Sequence, residues 1–394
     1  MELDTFRWLL TDDGQRLLLR AAQAYADAEG DPMRAADAVR RSEPDPDRAA
    51  AALTQIELRV RAVAKFGDEA LRMYFTPDAL EQATRPRVAA HRAARLAAAQ
   101  PESVIDLGCG IGSDLVALAR AGLTTVGVDL DPVRVAIAEA NLAALGLQGA
   151  VGVADATTVD VSGFGAAFAD PARRSGRGRT FDVDDWTPPW SFVLRLLEGR
   201  AVVKVAPGVP HELIPDGVEA EWVSERHEVK EAALWSPYLA TCRRRATVLE
   251  PTGLATLTEE DDPYDGQPRP VRELGAYLYE PDGAVIRAGL VTAVAAGVTG
   301  GLLDEHIAYV TSDESFRTPF ARGYRVIETL PFREKQLRLA LKHRGIGRLT
   351  IKKRGVDVSP DALRKRLSLS GEDEATLVLT RVADVGTAIL VKPF

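Results

Sequence analysis

The 394-residue sequence predicts an α/β protein built on a doubly wound, largely parallel sheet. Three observations carry this prediction. Residues 1–99 show amphipathic helical patterns without a strand pattern, whereas the stretch 100–258 alternates short β-branched runs with helical segments. After an acidic segment rich in turn formers, residues 270–394 follow a different order of strands and helices. We therefore expect a helical N-terminal domain, a doubly wound central domain and a C-terminal α+β domain with these bounds.

The helical domain should end in a helix that leads into the sheet. The segment Glu43-Pro44-Asp45-Pro46 is expected to interrupt the helices before it. Thr76 is followed by Pro77, which predicts an N-cap residue and a proline at the first helical position.

The central domain is expected to hold seven strands with a late antiparallel hairpin. They are predicted near 103–107, 124–129, 150–154, 165–170, 200–206, 219–226 and 244–250. Lys204 lies within the apolar fifth run, where a lysine must pair with an acid or extend towards solvent. A structural ion pair is one expectation for Lys204, and a role near Asp170 is the other.

The first of these strands runs into a glycine-rich turn. Gly108, Gly110 and Gly112 allow sharp bends and a close approach to a ligand, and a helical pattern follows from Asp114. Cys109 lies inside the turn, where a small side chain is needed for packing. The pattern predicts a site for a nucleotide-type cofactor.

Carboxylates end the next two strands as well. Asp129 follows the second strand and can accept hydrogen bonds from both hydroxyls of a ribose, and Asp155 follows the third. Each aspartate alone could be an ordinary strand-end cap. Together with Asp106, they stand at the ends of successive strands, which favours a ligand site.

The spacing of the turn is G-x-G-x-G, and Asp106 just before it suits a cationic ligand. This arrangement resembles the class I S-adenosylmethionine-dependent methyltransferases. The resemblance implies that S-adenosylmethionine is the cofactor, with Asp106, Gly108 and Gly110 under its methionine moiety. Asp129 would then bind the ribose and Asp155 would lie beside the adenine amine. The remaining predicted cofactor-binding residues are Phe75, Thr76, Gly112, Leu130 and Ala156.

Phe75 and Thr76 enter this set, with Gln82 as a further candidate to approach the cofactor, because the segment before strand one often folds over the cofactor in methyltransferases of nucleic-acid amines. A simple helix start explains them equally well.

The fourth strand ends in Asp170-Pro171-Ala172-Arg173-Arg174. This segment is similar to the Asn/Asp/Ser-Pro-Pro-aromatic signature of amino-methyltransferases, in which an oxygen and a carbonyl orient an exocyclic amine. The resemblance implies catalytic roles for Asp170, Pro171 and Arg173, although Ala172 and Arg173 replace the second proline and the aromatic. Arg174, Trp186 and Trp190 are candidates for holding the base, and packing of both tryptophans under the next helix is the alternative.

The C-terminal domain resembles the THUMP-like domain that follows the catalytic domain in a group of bacterial methyltransferases. Twelve Lys and Arg and three Asp and Glu between residues 333 and 366 give a local charge of +9 in a chain of net charge −8. Lys352, Lys353 and Arg354 are therefore predicted to bind an RNA backbone. A solvated strand edge that deters aggregation is the structural alternative.

Composition and motifs exclude several other classes of protein. Two cysteines cannot form a disulfide framework, and the five histidines lack metal-ligand spacing, so no metal is expected. No leader pattern and no long apolar run occur, which predicts a cytoplasmic protein without a membrane partner. The oligomeric state stays open.

The predicted function is methyl transfer from S-adenosylmethionine to a base amine, of guanine or adenine type, in structured RNA. The catalytic part is also distantly similar to trimethylguanosine synthases. Two alternatives remain. One is a non-catalytic RNA-binding or assembly protein that retains a cofactor pocket, and the other is a small-molecule or protein methyltransferase.

Overall fold

A computed structural model of the protein describes residues 1–29, 31–173, 186–265, 267 and 270–394, without the side chains of residues 172, 173, 186 and 187. The chain forms two compact units. The first comprises Met1–Val218 and Ala233–Ala240, and the second comprises Glu219–Ala232 and Thr241–Phe394. The division into three domains at 1–99, 100–258 and 270–394 stays a prediction.

Among its described residues, the N-terminal part of the first unit contains helices and no strand, as predicted. Its helices are α1 (Leu3–Leu9), α2 (Asp12–Asp27), α3 (Pro32–Arg40), α4 (Pro46–Phe66), α5 (Pro77–Gln82) and α6 (Pro86–Ala98), with a 3-10 turn at Gly67–Leu71. Asp45 caps α4 through the backbone N–H groups of Asp47 and Arg48. Thr76 caps α5 through the N–H of Ala79 at 3.3 Å, and Pro77 is the first helical residue, which confirms the expected helix start.

The apolar faces of these helices form one buried cluster. Phe6, Leu17 and Phe75 are fully buried in it. The amide of Gln55, also buried, accepts from the N–H of Phe75 at 3.0 Å and donates to its carbonyl at 2.7 Å. This pair of hydrogen bonds fixes the extended segment just before α5 and satisfies backbone groups that would otherwise be buried without partners.

The doubly wound part of the first unit is built on parallel strands and also contains a separate two-stranded antiparallel ribbon. The elements are β1 (Ser103–Leu107), α7 (Ser113–Arg120), β2 (Thr124–Asp129), α8 (Pro132–Ala144), β3 (Ala150–Val153), β4 (Ala166–Ala169), β5 (Ala172–Arg173), β6 (Trp186–Thr187), α9 (Trp190–Leu197) and β7 (Ala201–Val205). β1 pairs in parallel with β2 and β4, β2 with β3, and β4 with β7. The carboxyl ends of these strands therefore meet at one edge, where a doubly wound sheet binds its ligand.

The prediction of seven strands is wrong, because the sheet has nine. The additional elements are β8 (Glu219–Glu225), β9 (Glu228–Trp235), β10 (Arg244–Glu250) and β11 (Gly253–Thr258), and the order is β11-β10-β8-β9-β7-β4-β1-β2-β3. Sequence inspection missed β9 and β11. The residues Glu, Lys, Ala and Leu in β9 favour helix, and β11 follows β10 after only two residues. β10 pairs in parallel with β8 and antiparallel with β11.

The C-terminal part of the second unit is an α+β fold, as predicted. Its elements are β12 (Tyr277–Pro281), α10 (Gly283–Arg287), α11 (Val291–Gly297), β13 (Gly301–Asp304), β14 (Ile307–Ser312), β15 (Ala321–Leu330), α12 (Glu334–His343), β16 (Ile346–Lys353), α13 (Pro360–Leu367), β17 (Asp373–Val382) and β18 (Val385–Pro393). The strands form a seven-stranded sheet in the order β13-β14-β12-β15-β18-β17-β16. The helices α10 and α11 are separated at Gly289, where φ is +70°.

Candidate active site

The glycine turn after β1 is held against the end of β2. The N–H groups of Gly108 and Cys109 both donate to the carbonyl of Val128, at 2.8 and 2.9 Å. Gly108, Gly110 and Gly112 have φ of 88°, 57° and 81°, a region in which other residues are strained. The turn therefore requires glycine at the three predicted positions.

Asp129 locks this turn from the neighbouring strand. Its Oδ2 accepts from the N–H of Gly110 at 3.0 Å, and its Oδ1 accepts from the N–H of Asp131 at 2.9 Å. The residue is only 9% exposed, whereas Leu130 beside it is 67% exposed. A carboxylate has about four acceptor sites, so Asp129 can hold the turn and still accept from a ligand.

Asp106 is the most unusual side chain of the site. It is 1% exposed, and neither carboxylate oxygen has a hydrogen-bond partner among the described residues. Burial, followed by the nearby carboxylates of Asp114 and Asp170, raises the pKa of Asp106 well above its ordinary value. The hydroxyl of Ser113, at the start of α7, is likewise buried without a partner in the described part of the chain. Buried polar atoms in proteins usually have hydrogen-bond partners, so these groups are available to a ligand that enters the site.

A cavity of about 390 Å³ opens over these atoms. It is lined by Ala79, Gln82, Ala83, Thr84, Asp106, Gly108, Cys109, Gly110, Ile111, Ser113, Asp114, Arg134, Phe168, Asp170, Pro171 and Lys204. The cavity thus brings together Asp106, Gly108, Gly110, Asp170 and Pro171 of the predicted site residues. At Gly108 and Gly110, no atom lies within 4 Å of where a Cβ would be, so these glycines face open space.

Asp114 and Arg92 form a buried ion pair beneath this cavity. Their side chains are only 11% and 4% exposed. The hydroxyl of Thr84 donates to the second oxygen of Asp114 at 2.8 Å, and the guanidinium of Arg92 lies over the ring of Phe168, 4.5 Å from its centre. Sequence inspection missed this group because its members lie far apart in the chain.

Asp170 lies at the end of β4 and is paired with Lys204 of β7. The Nζ of Lys204 is 2.5 Å from Oδ2 of Asp170 and 3.4 Å from the hydroxyl of Thr84. Burial raises the pKa of Asp170, and Lys204 partly offsets this effect. The two expectations for Lys204, an ion pair and a position near Asp170, therefore coincide.

The other predicted cofactor-binding residues lie outside the lining of this cavity. Asp155 accepts hydrogen bonds from the N–H and the hydroxyl of Thr157, at 2.9 and 2.7 Å, and these bonds lower the pKa of Asp155. Ala156 follows it in the half-buried segment after β3. Phe75 packs in the helical cluster, so Ala79 and Gln82 of α5 form the cavity wall in place of Phe75 and Thr76.

The residues predicted to hold an acceptor base are placed only in part. Arg174 lies outside the described residues, as do the side chains of Arg173 and Trp186. The backbones of Arg173 and Trp186 pair antiparallel in the ribbon of β5 and β6. Trp190 is half-buried at the first position of α9.

The predicted RNA-binding residues belong to β16 and the position after it. The Nζ of Lys352 is 2.5 Å from Oε2 of Glu280 and lies over the ring of Tyr324. Lys353 is exposed, and because side chains alternate along a strand it faces the opposite side of the sheet from Lys352. The guanidinium of Arg354 lies over the ring of Tyr309, 5.6 Å from its centre.

Cys109 packs with Leu115, Val116, Ala138 and Leu142, and burial raises the pKa of its thiol. This environment is that of a packing residue. Among the described residues, no group of three or more His, Cys, Asp and Glu side chains could hold a metal ion. None of the helices in the described ranges is long and apolar enough to cross a membrane.

Asn141 of α8 connects the extended segment before α5 to the glycine turn. Its Oδ1 accepts from the N–H of Tyr74 at 2.7 Å, and its Nδ2 donates to the carbonyls of Tyr74 at 3.1 Å and Ile111 at 2.9 Å. The side chain is fully buried. No local sequence pattern marks this residue, since both partners are distant in the chain.

We expect Asn141→Leu to lower the free energy of unfolding by about 2–3 kcal/mol, because three buried backbone groups lose their partner. Urea unfolding followed by circular dichroism measures this change. Gln23→Leu is the matched control, since its amide contacts only the exposed Asp27 carboxylate. Equal unfolding midpoints for the two variants would contradict the role assigned to Asn141.

Comparisons with known proteins agree with this fold. Residues 81–198 match a family model described as a methyltransferase domain, and residues 321–393 match one described as THUMP domain-like. Residues 2–62 match a domain of unknown function. The crystal structure of a candidate methyltransferase from Porphyromonas gingivalis superposes with a TM-score of 0.73 at 23% identity, covering 96% of this chain and 98% of that one.

The fold and the site define a class I methyltransferase. Proteins of two Mycobacterium tuberculosis strains, both described as uncharacterized S-adenosylmethionine-dependent methyltransferases, are 40% identical to this chain over 337 residues. The match covers 82% of this chain and 90% of each relative. The chain belongs to the S-adenosylmethionine-dependent methyltransferases, and it carries a THUMP-like domain.

The residues of the cavity fit the S-adenosylmethionine cofactor of this family. The unpartnered Asp106 carboxylate suits a cationic group, and the Ser113 hydroxyl can bond a polar one. Open space above Gly108 and Gly110 lets a ligand approach the backbone closely.

Proposed function

We propose that this methyltransferase acts on an exocyclic base amine, of guanine or adenine type, in structured RNA in the cytoplasm. The observation that carries the proposal is Asp170, whose carboxylate lines the cofactor cavity at the end of β4. Oδ2 of Asp170 contacts Lys204, and within the described residues Oδ1 receives no hydrogen bond. That oxygen can therefore accept from an amine N–H.

S-adenosylmethionine supplies a methyl group on a cationic sulfur. The task left to the protein is to hold the acceptor amine in line with that group and to keep water out. In this proposal Asp170 orients the amine, Pro171 shapes the cavity wall beside it, and Arg173 with Arg174, Trp186 and Trp190 holds the base. Phe75, Thr76, Asp106, Gly108, Gly110, Gly112, Asp129, Leu130, Asp155 and Ala156 are the proposed cofactor-binding residues.

The THUMP-like match and the basic segment from 333 to 366 support RNA as the acceptor. Within this segment, Lys353 is exposed, whereas Lys352 is paired with Glu280 and Arg354 stacks on Tyr309. We therefore propose that Lys353 makes the more direct contact with phosphate, and that Lys352 and Arg354 contribute mainly a positive field.

Transfer of a tritiated methyl group to total RNA from a strain that lacks the protein tests this function. We expect incorporation with the wild-type protein and a loss of about 100-fold or more in Asp170→Ala, because the group that orients the amine is gone. Unchanged S-adenosylmethionine affinity in the variant is the control for folding. Incorporation into protein or a small molecule instead of RNA would refute the RNA proposal.

Binding of the same RNA as a function of salt separates the rival functions. Lys353→Glu should weaken binding and flatten the salt dependence, since it removes a phosphate contact. Arg40→Glu, an exposed charge change on α3, is the matched control. Tight, salt-dependent RNA binding without methyl incorporation would support the non-catalytic alternative.

A further inference from the structure

We propose that Lys204 is a positioning residue, which keeps the Asp170 carboxylate ionised and oriented to accept a hydrogen bond from the acceptor amine. The inference rests on the proposed role of Asp170. It assigns the specific function of the lysine in an otherwise apolar strand.

The sheet register brings the two residues together. β4 and β7 are parallel neighbours, with Ala169 opposite Val203, so Asp170 and Lys204 are the next residues along both strands. The Lys204 side chain is 17% exposed and its Nζ contacts Oδ2 of Asp170.

Thr84 fixes the direction of the lysine. Its hydroxyl donates its single proton to Oδ2 of Asp114 at 2.8 Å, so its lone pairs are left for the Lys204 ammonium at 3.4 Å. Asp114 is held in turn by Arg92. The charged groups in the chain of contacts from Arg92 to Asp170 alternate in sign, and they lie on α6, on α7, on β7 and at the end of β4.

The charges around Asp170 show why it needs Lys204. Asp106 on β1 and Asp114 on α7 oppose its ionisation, as does burial, whereas Lys204 on β7 and Arg92 on α6 favour it. Lys204 is the stronger of the two favourable groups. Without it, the pKa of Asp170 rises further, and the protonated carboxyl carries an O–H that donates where the amine needs an acceptor.

Three variants test this role by the pH dependence of methyl transfer to RNA. In Lys204→Met, we expect the acidic limb of the kcat profile to move to higher pH and kcat at neutral pH to fall about 10-fold or more. The KM for RNA should change little, because Lys204 acts through Asp170. Lys204→Arg should restore most of the acidic limb. Thr84→Val should give an intermediate shift, because Lys204 keeps its charge but loses the hydroxyl that directs it, while Asp114 loses one donor.

A purely structural ion pair makes a different prediction. Loss of such a pair would lower stability and scale activity down equally at all pH values. An acidic limb that stays in place in Lys204→Met would therefore overturn the proposal, whatever the loss of activity.

A second measurement needs no acceptor. This measurement is an NMR titration of protein labelled with carbon-13 at the aspartate carboxyls. The Asp170 signal is assigned as the one that is missing from the spectrum of the Asp170→Asn variant. We expect its titration midpoint to rise in Lys204→Met and to return towards the wild-type value in Lys204→Arg. An unchanged midpoint overturns the proposal. A raised midpoint supports the action of Lys204 on Asp170 even if the wild-type protein fails to methylate RNA, in which case the proposed function alone fails.

Discussion

Asp106→Asn is expected to stabilise the cofactor-free protein and to weaken S-adenosylmethionine binding about 10- to 100-fold. The two effects have one cause. The wild-type carboxylate is 1% exposed, lacks a partner among the described residues, and lies near the carboxylates of Asp114 and Asp170. Burial of an unpaired charge is costly, and the isosteric amide removes that cost. The amide also removes the negative charge that attracts a cationic ligand.

The stability effect depends on pH with a definite sign. Because the folded-state pKa of Asp106 is raised above its unfolded value, the folded protein holds this proton more tightly. The resulting stability is fully present below the unfolded pKa and is lost as the pH rises through the folded pKa. The stabilisation by Asp106→Asn should therefore increase from acidic to neutral pH.

Urea unfolding at several pH values and isothermal titration with S-adenosylmethionine measure the two effects. Asp160→Asn is the matched control, since the hydrogen bonds of its exposed carboxylate with Ser162 lower its pKa and no gain in stability is expected. A less stable Asp106→Asn protein, or unchanged cofactor affinity, would show that the carboxylate is already satisfied.

Arg92→Met should lower the free energy of unfolding by about 3–5 kcal/mol, the usual result of removing one partner from a buried ion pair. Arg92 is 3% exposed, and its loss leaves the Asp114 carboxylate with only the Thr84 hydroxyl among the contacts described above. The stacking of the guanidinium on Phe168 is lost as well.

Arg16→Met is the comparison for this effect, because Arg16 and Asp13 form an ion pair with side chains 64% and 72% exposed. Removal of such a pair costs less than about 1 kcal/mol. The double variant Arg92→Met with Asp114→Asn should recover part of the loss, since the unpaired charge is gone. A loss no larger than that of Arg16→Met would argue against a buried pair.

Local patterns predicted the elements whose signals are contiguous in the sequence. The glycine turn, the Thr76 cap and the ends of β1 and β2 depend on turn chemistry and periodicity, which act over a few residues. The strand β9 was missed because its helix-favouring composition is overridden by pairing in the sheet.

The polar contacts of the site could not be predicted in the same way. The aspartate at position 170 was predicted from its motif, but its pairing with Lys204 spans 34 residues and depends on the adjacency of β4 and β7. Arg92 and Asn141 lie within ordinary helical patterns, and their partners become neighbours only when the sheet and helices pack. Contacts of this kind follow from topology and carry no local signature.

The hydrogen bonds of Asn141 make the catalytic core dependent on the region before it. One amide holds both the backbone of Tyr74 and the carbonyl of Ile111 in the cofactor turn. The helical region α1 to α5 is consequently part of the structure that supports the cofactor turn, and another helical domain could not simply replace it. Expression of the doubly wound core alone, or its transfer to another protein, would remove the contact with Tyr74 that helps to shape the glycine turn. The helical region and the doubly wound core therefore form one functional module.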